Sequence, residues 1–431
     1  MPGSPSNRPQ AGASRDMENP IVIKSREQLM FMLCEAATLE HMIMCEYLFA
    51  SFSLKRNLSE GVTPEQLNSI KKWDRVISQV AEQEMLHLSL ANNLLTSIGG
   101  SPYFGRPNFP YGSRYFPSNV RLVLLPLNET SLRHFLFLER PEGMSIEDVP
   151  GFQTVLASPV GGKIVPEGQE FATVGQLYRG IEEGFRYLAE AYGERQLFIG
   201  NSHDQATEEY YGWKELTAVT DLASAQKAID EIITEGEGAR GNWKDAHFGK
   251  FLGILNEFTE IKQKDPGFEP ARSTLAAFVR PPGDVTSPEL IDDELTAAVS
   301  DLFNASYELL LQVLTRFFLQ VDTTKEGLKV LSEISVKLMV TVIRPLGVLL
   351  TTLPIGRHRP GLTAGPTFEM YQMNYLLPRG QAAWIILRER LLELANNSAE
   401  ISRRSDGPKM LLAVQRTLGL MAKLLEPFSG V

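Results

Sequence analysis

Apolar residues recurring at three- and four-residue steps run through most of the chain and predict a mainly helical protein. From about Ser25 to Ser53 the first helix is apolar nearly all the way round, as expected of a helix buried inside a bundle. Ser25, followed by Glu27 and Gln28, supplies its N-terminal cap. Thr63-Pro64-Glu65 opens a second helix that Gly99-Gly100 ends, with Trp73, Ile77, Val80, Ala91 and Leu94 along its core face. A third helix spans Thr173 to Tyr192. A fourth begins at Leu222, loosens after Ile233 around Gly236-Glu237-Gly238, and resumes near His247.

Between the second and third helices the pattern changes. Residues 101–170 are rich in proline, glycine and aromatics and carry short apolar runs, VRLVLLPL and LRHFLFLERPE. They read as a long crossover with at most small strands. The expected layout is a tail at 1–20, a four-helix domain at 21–264 with an insertion at 101–170, a Pro-rich linker at 265–290, and a C-terminal helical domain at 291–431. No internal repeat stands out.

Several acids and histidines fall on the core faces. Glu84 and His87 share the stripe of Trp73 and Ile77, and their i, i+3 spacing lets both face one metal ion. Glu40 sits in the stripe of Leu33, Ala37, Met44 and Tyr47. Glu182 sits with Phe171, Tyr178 and Phe185, whereas Glu183 shares a polar face with Arg179 and Arg186. In the fourth helix Glu235 and Glu237 compete, and His247 lines up with Phe251, Ile254 and Phe258. Buried ionisable groups are expensive unless paired. A buried acid neutralised by an arginine, or a core histidine bonded to a carbonyl, is the plain alternative for each taken alone. Together they approach the ligand set of a dinuclear carboxylate centre in a four-helix bundle, a site for iron, manganese or a mixed pair. The fourth helix departs from that set because it lacks a contiguous E-x-x-H. His41 reads as structural or supporting. Tyr47 and Tyr178 are either core residues or hydrogen-bond donors to the acids. Arg344 and Arg357-His358-Arg359 are candidates for an anion, with a solvated loop as the alternative.

Composition narrows the function classes. Lys plus Arg number 42 and Asp plus Glu 52, a net charge of −10 with no basic cluster, which argues against nucleic acid and anionic membranes as partners. Cys34 and Cys45 fall on one helix, so a disulfide framework is not expected, and a reducing cytoplasm fits. No apolar run is long enough to span a bilayer. The N-terminus lacks the apolar core of a signal peptide and reads as disordered.

The segments LEHMIMCEYLFASFSL, AEQEMLHLSLANNLLTSIGGSPYFGRPNFP, TVGQLYRGIEEGF, GEG with AHFGKFL, and TAGPTFEMY resemble the ferritin-like proteins related to iminophenylpyruvate dimer synthase of the violacein pathway. The resemblance runs from about Ile23 to the C-terminus. It implies a ferritin-like domain with Glu40, Glu84, His87, Glu182, Glu237 and His247 as the carried-over polar positions, and it favours Glu237 over Glu235. It also implies a role in secondary metabolism and a chain shorter than the dimer synthases, some of whose relatives are associated with haem. The leading expectation is a dinuclear iron oxidoreductase that uses O2 on a small organic, amino-acid-derived substrate. The alternative is a coupling enzyme or scaffold without a working dinuclear centre, and iron storage ranks last. The sequence leaves the oligomeric state open, a homo-oligomer included.

Overall fold

The computed structural model describes residues 20–112, 120–144, 146–150, 168–238, 242–319, 323–371 and 381–430. The expected tail, apart from residue 20, and much of the second half of the crossover lie outside these residues.

Helix α1 (Arg26–Ser53) starts where the Ser25 hydroxyl accepts the Gln28 amide at 3.2 Å. Helix α2 (Pro64–Ser97) opens on a Thr63–Gln66 capping box with proline at its first position. The two pack along their length. Helix α4 (Val174–Tyr192) and helix α5 (Leu222–Gly236) pair in the same way, α4 against α1 and α5 against α2, which closes a four-helix bundle.

Within the crossover, LRHFLFLERPE forms a true helix, α3 (Glu129–Leu138), opened by an Asn128 capping box. This corrects the reading of the segment as irregular with small strands. The only strands described there are β1 (Tyr111–Gly112) and β2 (Arg121–Leu122), paired antiparallel with Tyr111 opposite Leu122. Helix α3 packs on α6 (His247–Lys264), and α6 also touches α2 and α5. Together they deliver the C-terminal end of α3 and the first residue of α6 to the bundle core.

The C-terminal region begins with α7 (Glu294–Phe318). Helix α8 (Lys325–Leu338) then runs through a π-helical turn at Met339–Ile343 into α9 (Arg344–Leu350). The wide turn has a local cause. Pro345 has no N–H, and its ring crowds the carbonyl of the preceding turn, so the Arg344 amide bonds back five residues to the Met339 carbonyl. Helices α10 (Ala382–Arg403) and α11 (Leu411–Leu424) pack on each other, and α10 also packs on α7. Strand β3 (Thr274–Ala276), from the expected linker, pairs in parallel with β4 (Thr363–Gly365). Gly365 is required there, because a Cβ would lie 2.2 Å from the Phe49 ring of α1. One buried apolar cluster extends from Ile21 to Leu425, so the helices after residue 291 share a core with the bundle. Among the described residues no helix is long and apolar enough to cross a membrane.

Candidate metal centre

The bundle interior gathers two overlapping triads, Glu40–Glu84–His87 and Glu84–Glu139–His247. All five residues are buried. Glu84 is common to both, and its two carboxylate oxygens divide between them. Oε2 lies 3.2 Å from His87 Nδ1, and Oε1 lies 2.9 Å from His247 Nδ1. The outer carboxylates complete each half: Glu40 Oε2 is 3.7 Å from His87 Nδ1, and Glu139 Oε2 is 3.6 Å from His247 Nδ1. The imidazole rings stack with centroids 5.5 Å apart.

A second set of contacts repeats the symmetry. Tyr178 of α4 donates to Glu40 Oε1 at 2.7 Å, and Tyr47 of α1 donates to Glu139 Oε1. Each outer carboxylate thus spends one oxygen on a tyrosine and turns the other inward. The histidines are oriented likewise. His87 Nε2 faces Glu235 Oε2 at 3.1 Å, and His247 Nε2 faces Gln83 Oε1 at 3.3 Å. The amide of Gln83 donates to Glu235 Oε1 at 2.7 Å, which fixes which way Gln83 points. Both outer partners are acceptors, so each Nε2 carries the proton and each Nδ1 turns its lone pair toward carboxylate oxygens. A lone pair facing a carboxylate at these distances is repulsive unless a cation lies between them. His247 Nδ1 shows the same inward approach, 2.9 Å from Glu84 Oε1.

With protons as the only cations, the charges shift accordingly. Burial pushes the Glu40 carboxyl up to about 8, against the pull of His87. Burial would also raise Glu84, but His247 and His87 hold it well below the usual range. His247 would be pushed down by burial, and Glu84 and Glu139 instead hold it at about 9. Three carboxylates and two imidazoles with inward Nδ1 atoms fit a pair of hard or borderline divalent cations, iron and manganese among them.

Four of the six expected positions, Glu40, Glu84, His87 and His247, come together here. Glu182 and Glu237 do not. Glu182 stands at the edge of α4, paired with Arg186 at 3.1 Å and Gln226 at 2.9 Å. Its helix presents Tyr178, one turn earlier, to the centre. Glu237 lies just past the end of α5 and accepts the backbone amides of Gly175 at 2.7 Å and Glu142 at 3.1 Å. It therefore serves the positive N-terminus of α4. The rival Glu235 sits against His87. Glu139 was not anticipated: it is the C-cap of a short helix, where no periodic stripe marks an inward face. The one available signal is an acid directly after the apolar run FLFL.

Other candidates are otherwise engaged. His41 bonds Tyr307, on a different face of α1. His358 and Arg359 bind Glu289, with Asp292 also on His358, and Arg344 binds Asp74. Cys34 and Cys45 are free thiols.

Residues 33–256, over half of the chain, match the ferritin-like family model. The chain is 27% identical over 419 residues to dichlorochromopyrrolate synthase of Lentzea aerocolonigenes, covering 87% of this chain and 39% of that protein. It is 26% identical over 374 residues to 2-imino-3-(indol-3-yl)propanoate dimerase of Chromobacterium violaceum, covering 80% of this chain and 34% of that protein. This chain therefore spans little more than a third of the length of either relative. A ferritin-like protein from Caulobacter vibrioides aligns with TM-score 0.46 and 18% identity over 72% of this chain and 96% of its own. The bundle and the match over residues 33–256 establish that this chain belongs to the ferritin-like family.

Proposed function

We propose that the chain is a ferritin-like enzyme whose carboxylate–histidine cluster holds two metal ions, iron by preference. It would use O2 to oxidise a small organic, amino-acid-derived substrate. The observation that carries this reading is the pair of triads sharing Glu84, with both Nδ1 atoms turned inward. Glu40, Glu84 and His87 would hold one ion, and Glu84, Glu139 and His247 the other. Such a pair supplies open positions for oxygen and a source of electrons. The chain's own part is orientation: Tyr178 and Tyr47 set the outer carboxylates, and Glu235 and Gln83 set the imidazoles.

Access comes from the Gln83–Glu235 side. These residues line a cleft with Lys250, Glu82 and Trp213, so small molecules approach past the groups that orient the histidines. Lys250, whose ammonium is pushed down by partial burial, donates to Gln83 Oε1 at 2.6 Å and steadies that layer. The test is oxygen uptake by the iron(II)-loaded protein. A rapid uptake phase lost in Glu84→Ala and kept in Glu182→Ala supports the proposal. Uptake no faster than that of free iron(II) under the same conditions rejects it.

A second reading is a coupling enzyme in which the cluster works as an acid and base. The names of the two relatives, a synthase and a dimerase, favour it. So does the readiness of Glu40 and His247 to hold protons near neutral pH. Coupling activity undiminished after exhaustive chelation would select this reading.

A further inference from the structure

Helix α7 has a polar side that takes no part in the metal centre. Phe368 and Glu369, consecutive residues just after β4, go to different faces of it. The Phe368 ring packs on Phe303 and Tyr307, with centroids 5.1 and 5.2 Å apart, whereas Glu369 joins Asp301, Asn304 and Glu308. These residues wall a cleft of about 580 Å³ that α10 bounds on its other side with Arg390, Asn397 and Glu400. The backbone that delivers Glu369 is strained and clamped. Phe368 holds a φ of 50°, a costly value for a residue other than glycine. Side chains from elsewhere hold three successive residues in place. The Phe368 carbonyl accepts Arg106, the Glu369 amide donates to Asn304 Oδ1 at 3.1 Å, and Asn108 bonds both the amide and the carbonyl of Met370 at 2.8 Å. Two stretches singled out in the sequence, RPNFP and TAGPTFE, thus meet to fix one carboxylate, and rigid presentation of this kind is what a binding group needs.

The clamp leaves two buried polar atoms open. Asn304, 5% exposed, spends Oδ1 on the Glu369 amide, and that bond fixes Nδ2 as a donor with no hydrogen-bond partner among the described residues. Glu369, 2% exposed, accepts the Thr367 hydroxyl on Oε1 at 2.8 Å. The Val279 amide also draws on this carboxyl, yet Oε2 makes no hydrogen bond of its own among the described residues. A buried donor and a buried acceptor left open are both costly. Burial pushes the Glu369 carboxyl up to about 7. Elsewhere the cleft is mixed in charge, with three arginines and four acids along its walls. Arg280 and Arg390 already pair with Asp301 and Glu393. A ligand of either sign meets like charge here, and a neutral one does not. A hydroxyl answers both open atoms, because it donates one hydrogen bond and accepts others. At the exposed edge stands Tyr371, 48% exposed, with the Arg280 guanidinium over its ring at 5.1 Å and a flat apolar face remaining.

We propose that this cleft binds a neutral polyhydroxylated molecule, a monosaccharide or the glycosyl unit of a larger compound. One hydroxyl donates to Glu369 Oε2 and accepts from Asn304 Nδ2, and the C–H face of the sugar ring lies against Tyr371. The cleft shares no residue with the two triads, and the proposal does not rest on metal binding.

Ligand-observed NMR titration of the full chain with the methyl glycosides of glucose, galactose, mannose and N-acetylglucosamine tests this. Saturable binding of at least one of them, with a millimolar or tighter dissociation constant, is the expected result. Glu369→Gln exchanges an acceptor for a donor and should weaken that binding at least about fivefold. Asn304→Asp keeps the acceptor for the Glu369 amide and removes the open donor, and it should weaken binding by a similar factor. Tyr371→Ala, at the exposed edge, leaves the core untouched and should weaken it severalfold. Glu182→Gln, on the bundle, should bind as the parent does. Inorganic phosphate and spermidine, the charged probes, should not displace the glycoside at equal concentration. No saturable binding of any of the four, unchanged affinity in the three cleft variants, or displacement by either charged probe would each overturn the proposal.

Discussion

Each oxygen of the Glu84 carboxylate serves a different imidazole, so this residue has no conservative substitute. Glu84→Gln replaces one of those oxygens with a donor that cannot face a metal ion, and metal content should fall by at least half. Glu182→Gln, at the edge of α4, should leave it unchanged; equal content in all three proteins would contradict the assignment. A second buried charge cluster offers an independent residue-scale check. His134 of α3 lies 2.9 Å from Asp148 and 3.8 Å from Glu46. Burial would lower its pKa from 6.5, but the Asp148 hydrogen bond and Glu46 raise it to about 9. A histidine whose folded pKa is raised stabilises the fold fully below its unfolded value and loses that contribution as pH climbs through the folded one. Burial raises the Glu46 carboxyl as well, which gives the same sign. His134→Gln should therefore cost about 3 kcal/mol at pH 6. The gap to the parent should narrow as pH rises from about 6.5 to about 9, measured by urea unfolding at several pH values; a gap independent of pH would contradict this.

At the scale of elements, the four bundle helices were legible because their apolar stripes are long and their caps are marked by Ser25, Thr63 and Thr173. Glu84, His87 and Glu40 were legible as polar groups inside those stripes. Glu139 was not, because a C-cap belongs to no stripe. Glu182 was misplaced because the stripe on α4 is broad, with Tyr178 at its centre and Glu182 at its margin against α5. Glu237 was inferred from its neighbourhood of glycines, whereas its buried carboxylate holds the first turn of α4. Removing it with Glu237→Ala should destabilise the protein by about 1–2 kcal/mol without loss of metal. Gly175→Ala should destabilise it by about 1–3 kcal/mol, since the new Cβ would lie 2.3 Å from a Glu237 oxygen. Thermal melts beside metal analysis check both, and metal lost from a stable Glu237→Ala would return that residue to the centre.

Among the described residues one large apolar core joins the bundle to the C-terminal helices, with Phe52 of α1 closely packed on Gly347 of α9 and Phe49 on Gly365 of β4. This shared core, set against the expected division into a bundle domain and a C-terminal domain, has a thermodynamic consequence. The chain should unfold by calorimetry in a single cooperative transition, and two resolved transitions would mean that the halves are independent. The long crossover was legible as a break in periodicity, but its part in the cluster was not, because that part is one carboxylate at the end of a short helix. The most direct test of the account is the metal content of the purified full chain after anaerobic iron loading, beside Glu84→Ala and Glu139→Ala. Glu84→Ala removes the shared ligand and Glu139→Ala only one outer ligand. The account predicts about two iron ions per chain in the parent, about one in Glu139→Ala and fewer still in Glu84→Ala. Iron absent from a folded parent, or equally abundant in all three proteins, would contradict it.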